Sequence, residues 1–298
     1  MPMQTADDFA PEVLKLFDQY VHGAISRRGF LDGAGRYAVG GATAAGLLEA
    51  LSPNFAQAQQ VAPGDPRIVG STFGFESPQG HGKASGYLVK PARTAGPDIP
   101  AILVVHENRG LNPHIEDIAR RLALEGYLVF APDALFSLGG YPGDEDKARE
   151  LFGQLDQAKV RADFLAAAHL LKTHAGTNGR VGAVGFCFGG GMVNHLATQW
   201  PDLNAGVSFY GVAPDLAAVP RIRAPLEFHF AGNDERVNAT WPPYEAALKE
   251  AHVRYQAFIY PGVEHGFNND TTPRFDAKAA GLAWQRTLSF FAQNLKSA

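Results

Sequence analysis

A chain of 298 residues with 46% apolar side chains can bury one large core or two small ones. Charged residues make up 19% and the formal net charge is -4, so no basic face is announced and nucleic acid is not an expected partner. The single cysteine excludes an intrachain disulfide and any multi-cysteine metal site.

Residues 1–58 differ from the rest. Pro11 to His22 places apolar side chains at helical spacing, Ser26 to Leu31 reads SRRGFL, and Arg36 to Leu51 is dominated by Ala, Gly and Val. Ala56-Gln57-Ala58 follows as a small-x-small tripeptide. Twin arginines, a weakly apolar run and that tripeptide resemble a twin-arginine export signal, which would send the protein to the periplasm. The alternative is a helical pair kept in a cytoplasmic protein. Asp7, Asp8, Glu12 and Asp18 before the arginines, Asp32 after them and Glu49 within the apolar run speak for it. The run is too short and glycine-rich to predict a stable membrane span.

Residues 59–298 read as one α/β domain. After a linker, VAPGDP at 61–66, Arg67–Phe75 and Lys83–Val89 predict two antiparallel strands, and Pro100–Val105 a strand buried on both faces. Asn112 caps a helix with Pro113 in its first position. Strands at Tyr127–Ala131, Arg180–Val184, Ala205–Tyr210, Leu226–Ala231 and Val253–Tyr260 alternate with helical patterns at Asp144–His174, after Cys187, at Trp241–Ala251 and at Phe275–Leu295. Such alternation predicts a mostly parallel sheet with helices on both faces.

The sequence GFCFGG, 185–190, falls between a strand and a helix, the setting of a nucleophile elbow with sulfur in place of oxygen. Gly185 and Gly189 leave room for a strained turn, and the helix N-terminus lowers a thiol's proton affinity. A buried structural thiol is the bland alternative for Cys187. Nucleophile, acid and histidine follow in α/β-hydrolase order as Cys187, Asp234 and His265, with Glu235 competing as the acid. His265 would move protons near neutral pH and Asp234 would fix its tautomer.

GFCFGG, HENRGL at 106–111, GNDERV at 232–237 and EHGF at 264–267 together resemble the dienelactone hydrolase (carboxymethylenebutenolidase) family over about residues 70–295. The resemblance implies an α/β-hydrolase fold, a Cys187 nucleophile, a His265 base, an Asp234 acid, and Glu107 as a carboxylate that helps form the thiolate. A salt bridge to Arg109 or a neighbouring arginine is the alternative for Glu107. Backbone N–H groups of Phe188 and Asn108 would form the oxyanion hole. No metal or organic cofactor is implied, and the expected partner is a small ester or lactone. His114 and Glu116 point apart on a helix and read as surface positions rather than metal ligands. Trp241 and Phe136 stand as pocket lining or as packing aromatics.

The family's two carboxylate-binding arginines are missing. APDALFSLGG, 131–140, has none, and GFNNDTTPR, 266–274, has Asn269 where one would fall and only Arg274 further on. Loss of such a clamp bears on the substrate more than on the reaction type. A thioesterase or acyl transferase would use the same residues, and a redox or binding role for Cys187 would not need the other members of the set.

Overall fold

The computed structural model describes residues 4–38, 43–94 and 99–296. Part of the apolar run at 36–51 therefore lies outside the described residues.

Eight strands form one sheet in the order β1-β2-β4-β3-β5-β6-β7-β8. They are β1 (Ile68–Ser77), β2 (Gly82–Pro91), β3 (Ile99–Val105), β4 (Leu128–Pro132), β5 (Thr177–Phe186), β6 (Ala205–Phe209), β7 (Leu226–Ala231) and β8 (Tyr255–Tyr260). The pairs β1–β2 and β2–β4 are antiparallel, and every pair from β4–β3 to β7–β8 is parallel. Parallel strands covered on both faces need continuous apolar runs, and β3 supplies one: Ala101 to Val105 are fully buried.

Four helices precede the sheet: α1 (Pro11–Val21), α2 (Arg27–Ala34), α3 (Ala44–Leu51) and α4 (Phe55–Ala58). Seven more accompany it among the described residues: α5 (Pro113–Leu124), α6 (Glu145–Phe152), α7 (Gln157–Thr173), α8 (Phe188–Gln199), α9 (Glu235–Asn238), α10 (Trp241–Glu250) and α11 (Ala277–Phe291). One face of the sheet packs on α7, α8 and α10, the other on α5 and α11. Asn112 caps α5 as its sequence predicts, its side chain accepting from the Ile115 N–H at 3.2 Å.

The single helix expected over 144–174 is two. The break lies at Gly153–Asp156, where α6 ends at a glycine and Asp156 accepts from the Ala158 and Lys159 N–H groups to start α7. The linker at 61–66 is pinned to the domain. Val61 is buried, its N–H donates to Asp117 Oδ1 at 2.8 Å, and its carbonyl accepts from Arg120 Nε at 2.8 Å.

Residues 4–38 and 43–58 build a small core of their own around Phe9, Val13, Phe17, Tyr20, Phe30 and Leu51. Each large apolar side chain buried there contributes roughly 1.5–3 kcal/mol. This unit docks on the rim of the sheet mostly by polar contacts. Asn54 N–H donates to the Thr271 carbonyl at 2.7 Å, Arg149 Nη1 to the Tyr20 carbonyl at 2.7 Å, and Tyr20 OH to Asp146. The Arg149 and Arg274 guanidinium groups lie over the Tyr20 and Phe17 rings at 4.1 and 5.1 Å.

Candidate active site

Cys187 sits between β5 and α8 with φ 56° and ψ -113°, a left-handed conformation that costs a non-glycine residue about 1–3 kcal/mol. The turn closes only because its neighbours lack side chains. A Cβ on Gly185 would meet the Gly189 carbonyl oxygen at 2.1 Å, and one on Gly189 would meet that of Val105 at 2.1 Å. The Cys187 N–H donates to the Phe209 carbonyl at 3.0 Å, which anchors the turn to β6. Phe188 is the first residue of α8, so its N–H has no intrahelical acceptor.

The structure brings the three residues of the expected set together. Asp234 follows β7 and His265 follows β8. His265 Nδ1 donates to Asp234 Oδ2 at 2.5 Å, and both side chains are buried. Asp234 also caps α9 through the Val237 N–H at 3.1 Å, which fixes the carboxylate. Its neighbour Glu235 is exposed. His265 Nε2 has no hydrogen-bond partner among the described residues. Burial works against charge on Cys187, but the His265 and His22 imidazoles beside it bring the thiol down to about 5. Burial likewise opposes the His265 imidazolium, and the Cys187 thiolate with Asp234 lifts it to about 10. The two shifts share a cause: each of the two groups favours the charged form of the other.

Glu107 lines the same cleft, in the turn after β3. Its Oε2 accepts from Asn269 Nδ2 at 3.0 Å, and Asn269 Oδ1 in turn accepts from the Thr271 N–H and hydroxyl. Arg109 turns instead to Glu145, 3.6 Å away, and to Asn108 Oδ1 at 2.7 Å, so Glu107 is held by an amide rather than by that arginine. Asn108 Nδ2 donates to the Val21 carbonyl at 2.8 Å, tying this loop to the end of α1. His106 braces it from below, with Nδ1 donating to the Glu107 carbonyl at 2.5 Å and Nε2 accepting from the Ala134 N–H at 3.1 Å.

His114 corrects the sequence reading. It is buried, not at the surface, because its Nδ1 faces Asp270 Oδ1 at 3.2 Å. Glu116 stays half-exposed beside Arg120. Trp241 packs among Phe228, Phe230 and Tyr244, Phe136 is exposed, and neither lines the cleft of Cys187.

His22 in the cleft and Asp18 behind it were not foreseen, and Arg274 reads in the sequence as lying too far on. His22 follows α1, and its Nε2 lies 3.4 Å from Cys187 Sγ. Asp18, one helical turn earlier, has its carbonyl at 2.8 Å and Oδ1 at 3.1 Å from His22 Nδ1. Arg274 borders the cleft with Nε and Nη1 making no hydrogen bond among the described residues. No spacing in the sequence links residue 22 to residue 187; the i, i+4 interval of Asp18 and His22 was the one local signal. Cys187 Sγ and a ring nitrogen from each of His22 and His265 lie within 4.8 Å of one another, a donor set of the kind zinc takes. The cleft these residues share measures about 590 Å³ with its open mouth, and Phe17, Tyr20, Val21 and His22 form its outer wall.

The sequence profile of the dienelactone hydrolase family matches residues 84–295, and a profile described as YqhI-like matches residues 1–39. A protein of Escherichia coli K12, provisionally named a carboxymethylenebutenolidase, is 31% identical over 268 residues, covering 83% of this chain and 95% of its own. A hydrolase fragment from the same organism, YghX, provisionally named, is 57% identical over 114 residues, 38% of this chain and 97% of the fragment. A crystal structure from Klebsiella pneumoniae, provisionally named a dienelactone hydrolase, superposes with a TM-score of 0.67 at 29% identity, over 76% of this chain and 99% of that one. Matched along most of the α/β domain and alike in fold, this chain belongs to the dienelactone hydrolase family.

Proposed function

We propose that the protein hydrolyses a carboxylic ester or lactone through a Cys187 thiolate and an acyl-enzyme. The observation that carries this reading is the buried Asp234–His265 pair beside a thiol held in a strained strand-to-helix turn. The thiolate attacks the acyl carbon, and the oxyanion forms where the Phe188 and Asn108 N–H groups can receive it. The imidazolium at His265 gives its proton to the leaving oxygen. Acylation removes the sulfur's negative charge, so the influence that kept His265 protonated is gone and the neutral imidazole can deprotonate water. Glu107, held by Asn269, adds a carboxylate to the same cleft.

Arg274 supports an anionic group on the substrate. Its side chain is largely buried, two of its N–H donor groups are unused, and Asp18 Oδ1 lies 3.9 Å from Nη1 without a hydrogen bond. Buried donors without partners cost free energy that an incoming carboxylate would recover. The test compares a lactone bearing a free carboxylate with its neutral methyl ester, using Cys187→Ala as the blank. The anionic lactone should be preferred, and Arg274→Gln should raise its KM roughly tenfold or more while leaving the neutral ester nearly unchanged. Equal turnover of both would remove Arg274 from substrate binding, and turnover that survives in Cys187→Ala would end the thiolate reading.

A further inference from the structure

Two histidine–aspartate pairs converge on one sulfur. The first, Asp234–His265, comes from the sheet; the second, Asp18–His22, comes from the helical N-terminal unit. The two imidazole rings meet edge to face with centroids 4.7 Å apart, and Cys187 Sγ sits 3.4 Å from His22 Nε2. We infer that the N-terminal unit is a permanent cap that completes the active site, and that His22 is a catalytic residue which takes the proton of the Cys187 thiol.

The tautomer follows from the contacts. The Asp18 carbonyl can only accept, so His22 Nδ1 carries hydrogen and Nε2 presents its lone pair to the sulfur. The Arg236 guanidinium, 3.1 Å from Nε2 on the exposed rim, donates to the same lone pair. Its long side chain can swing into solvent when the S–H bond breaks and the N–H bond forms at Nε2. The resulting imidazolium is compensated by Asp18 and the thiolate, while His265 and, through Asp18, Arg274 face it as opposing positive charges. Glu107 is engaged by Asn269 and makes no hydrogen bond to the sulfur among those described, so His22 rather than Glu107 is the group placed to receive the thiol proton at rest. His265 then keeps its own proton for the leaving oxygen and, once neutral, takes one from the water of deacylation.

The cap is built into the domain and not merely laid on it. The Val21 carbonyl, next to His22, accepts from Asn108 Nδ2 and Arg109 Nη1 in the loop that carries Glu107. Arg27, the first of the twin arginines, pairs with Asp146 at 2.5 Å. Removal after Ala58 would take His22, Asp18 and the outer wall of the cleft with it.

This inference rests on the thiolate reading above, and the lone cysteine allows the two to be tested apart. The full-length protein would be alkylated with iodoacetamide between pH 4 and 10, the product followed by intact mass, and compared with His22→Gln and Asp18→Asn, each checked by circular dichroism. Loss of His22 should move the alkylation midpoint up by about one to three pH units, the size expected on removing an opposite charge at this range, and Asp18→Asn should move it the same way by less. If His22→Gln does not fold, Asp18→Asn carries the same prediction. An unmoved midpoint in the folded variants, or protein recovered from its native host that begins after Ala58, overturns the second pair. Failure of the wild-type protein to hydrolyse any ester, with a shifted midpoint in His22→Gln, overturns the hydrolase reading and leaves the pair standing.

Discussion

The two histidine–aspartate pairs are alike in chemistry and unlike in support. Asp234 and His265 hang from the ends of β7 and β8 with both side chains buried, and their carboxylate–ring contact is 2.5 Å. Asp18 and His22 end a helix of the N-terminal unit, with side chains 32% and 14% exposed, and the ring is held first by a carbonyl and only then by the carboxylate. A pair set in a parallel sheet inherits the rigidity of the core. A pair on a docked helix is only as firm as the docking, which here is polar and carried by a few arginines. One fold thus brings to the same sulfur a ring set in the sheet and a ring set on a docked helix.

Breaking the rigid pair should have the largest effect. Asp234→Asn leaves the ring in place in the wrong tautomer and should lower kcat on the order of 10⁴-fold, whereas Asp18→Asn should cost about tenfold; equal losses would mean that the two pairs do the same work. Phe30→Ala, which empties the centre of the N-terminal core, should destabilise that unit by about 3–5 kcal/mol and expose it to limited proteolysis while the sheet domain stays resistant. If both regions become sensitive together, the cap is not a separable unit.

The pH profile sharpens the contrast further. Hydrolysis should fall as pH drops through about 5, where Cys187 gains its proton, and again as pH rises through about 10, where His265 loses its own. Burial acts to raise the Asp18 carboxyl, but His22 and Arg274 hold it well below the usual range. Its stabilisation of the cap is therefore present above the ordinary carboxylate value and is lost as pH falls below it. Proteolysis of residues 4–58 should accelerate in acid ahead of the rest of the chain. The smallest effect belongs to Arg27→Ala. With Arg27 57% exposed, its pair with Asp146 is worth about 0–1 kcal/mol, and activity should hardly change. A chelator should leave the rate unchanged as well; a drop would recast His22, Cys187 and His265 as a metal site.

Local chemistry made much of this protein legible. GFCFGG declared its turn because only glycines permit the backbone approaches at 185 and 189. Asn112-Pro113 declared the start of α5, and the strand–helix alternation declared the parallel sheet. Cys187, Asp234 and His265 could be named because each follows a strand, and the ends of parallel strands must gather on one rim. Such features are dictated within a few residues of sequence. The break at Gly153 was missed because a periodic pattern runs through it, and the burial of His114 because its partner, Asp270, is far along the chain.

Tertiary structure alone decided what fills the cleft. A hydrogen bond between residues 22 and 187 has no trace in local pattern, since it arises only when a separately cored unit docks on the sheet. Asn269 looked like a lost arginine until folding set its amide on Glu107, and Arg274 looked too distant until the turn after β8 carried it to the cleft. Sequence by itself determined the elements and the residue types at their ends, because backbone sterics and side-chain periodicity act over a few residues. The company each of those residues keeps was settled by packing, which joins positions that the chain holds far apart.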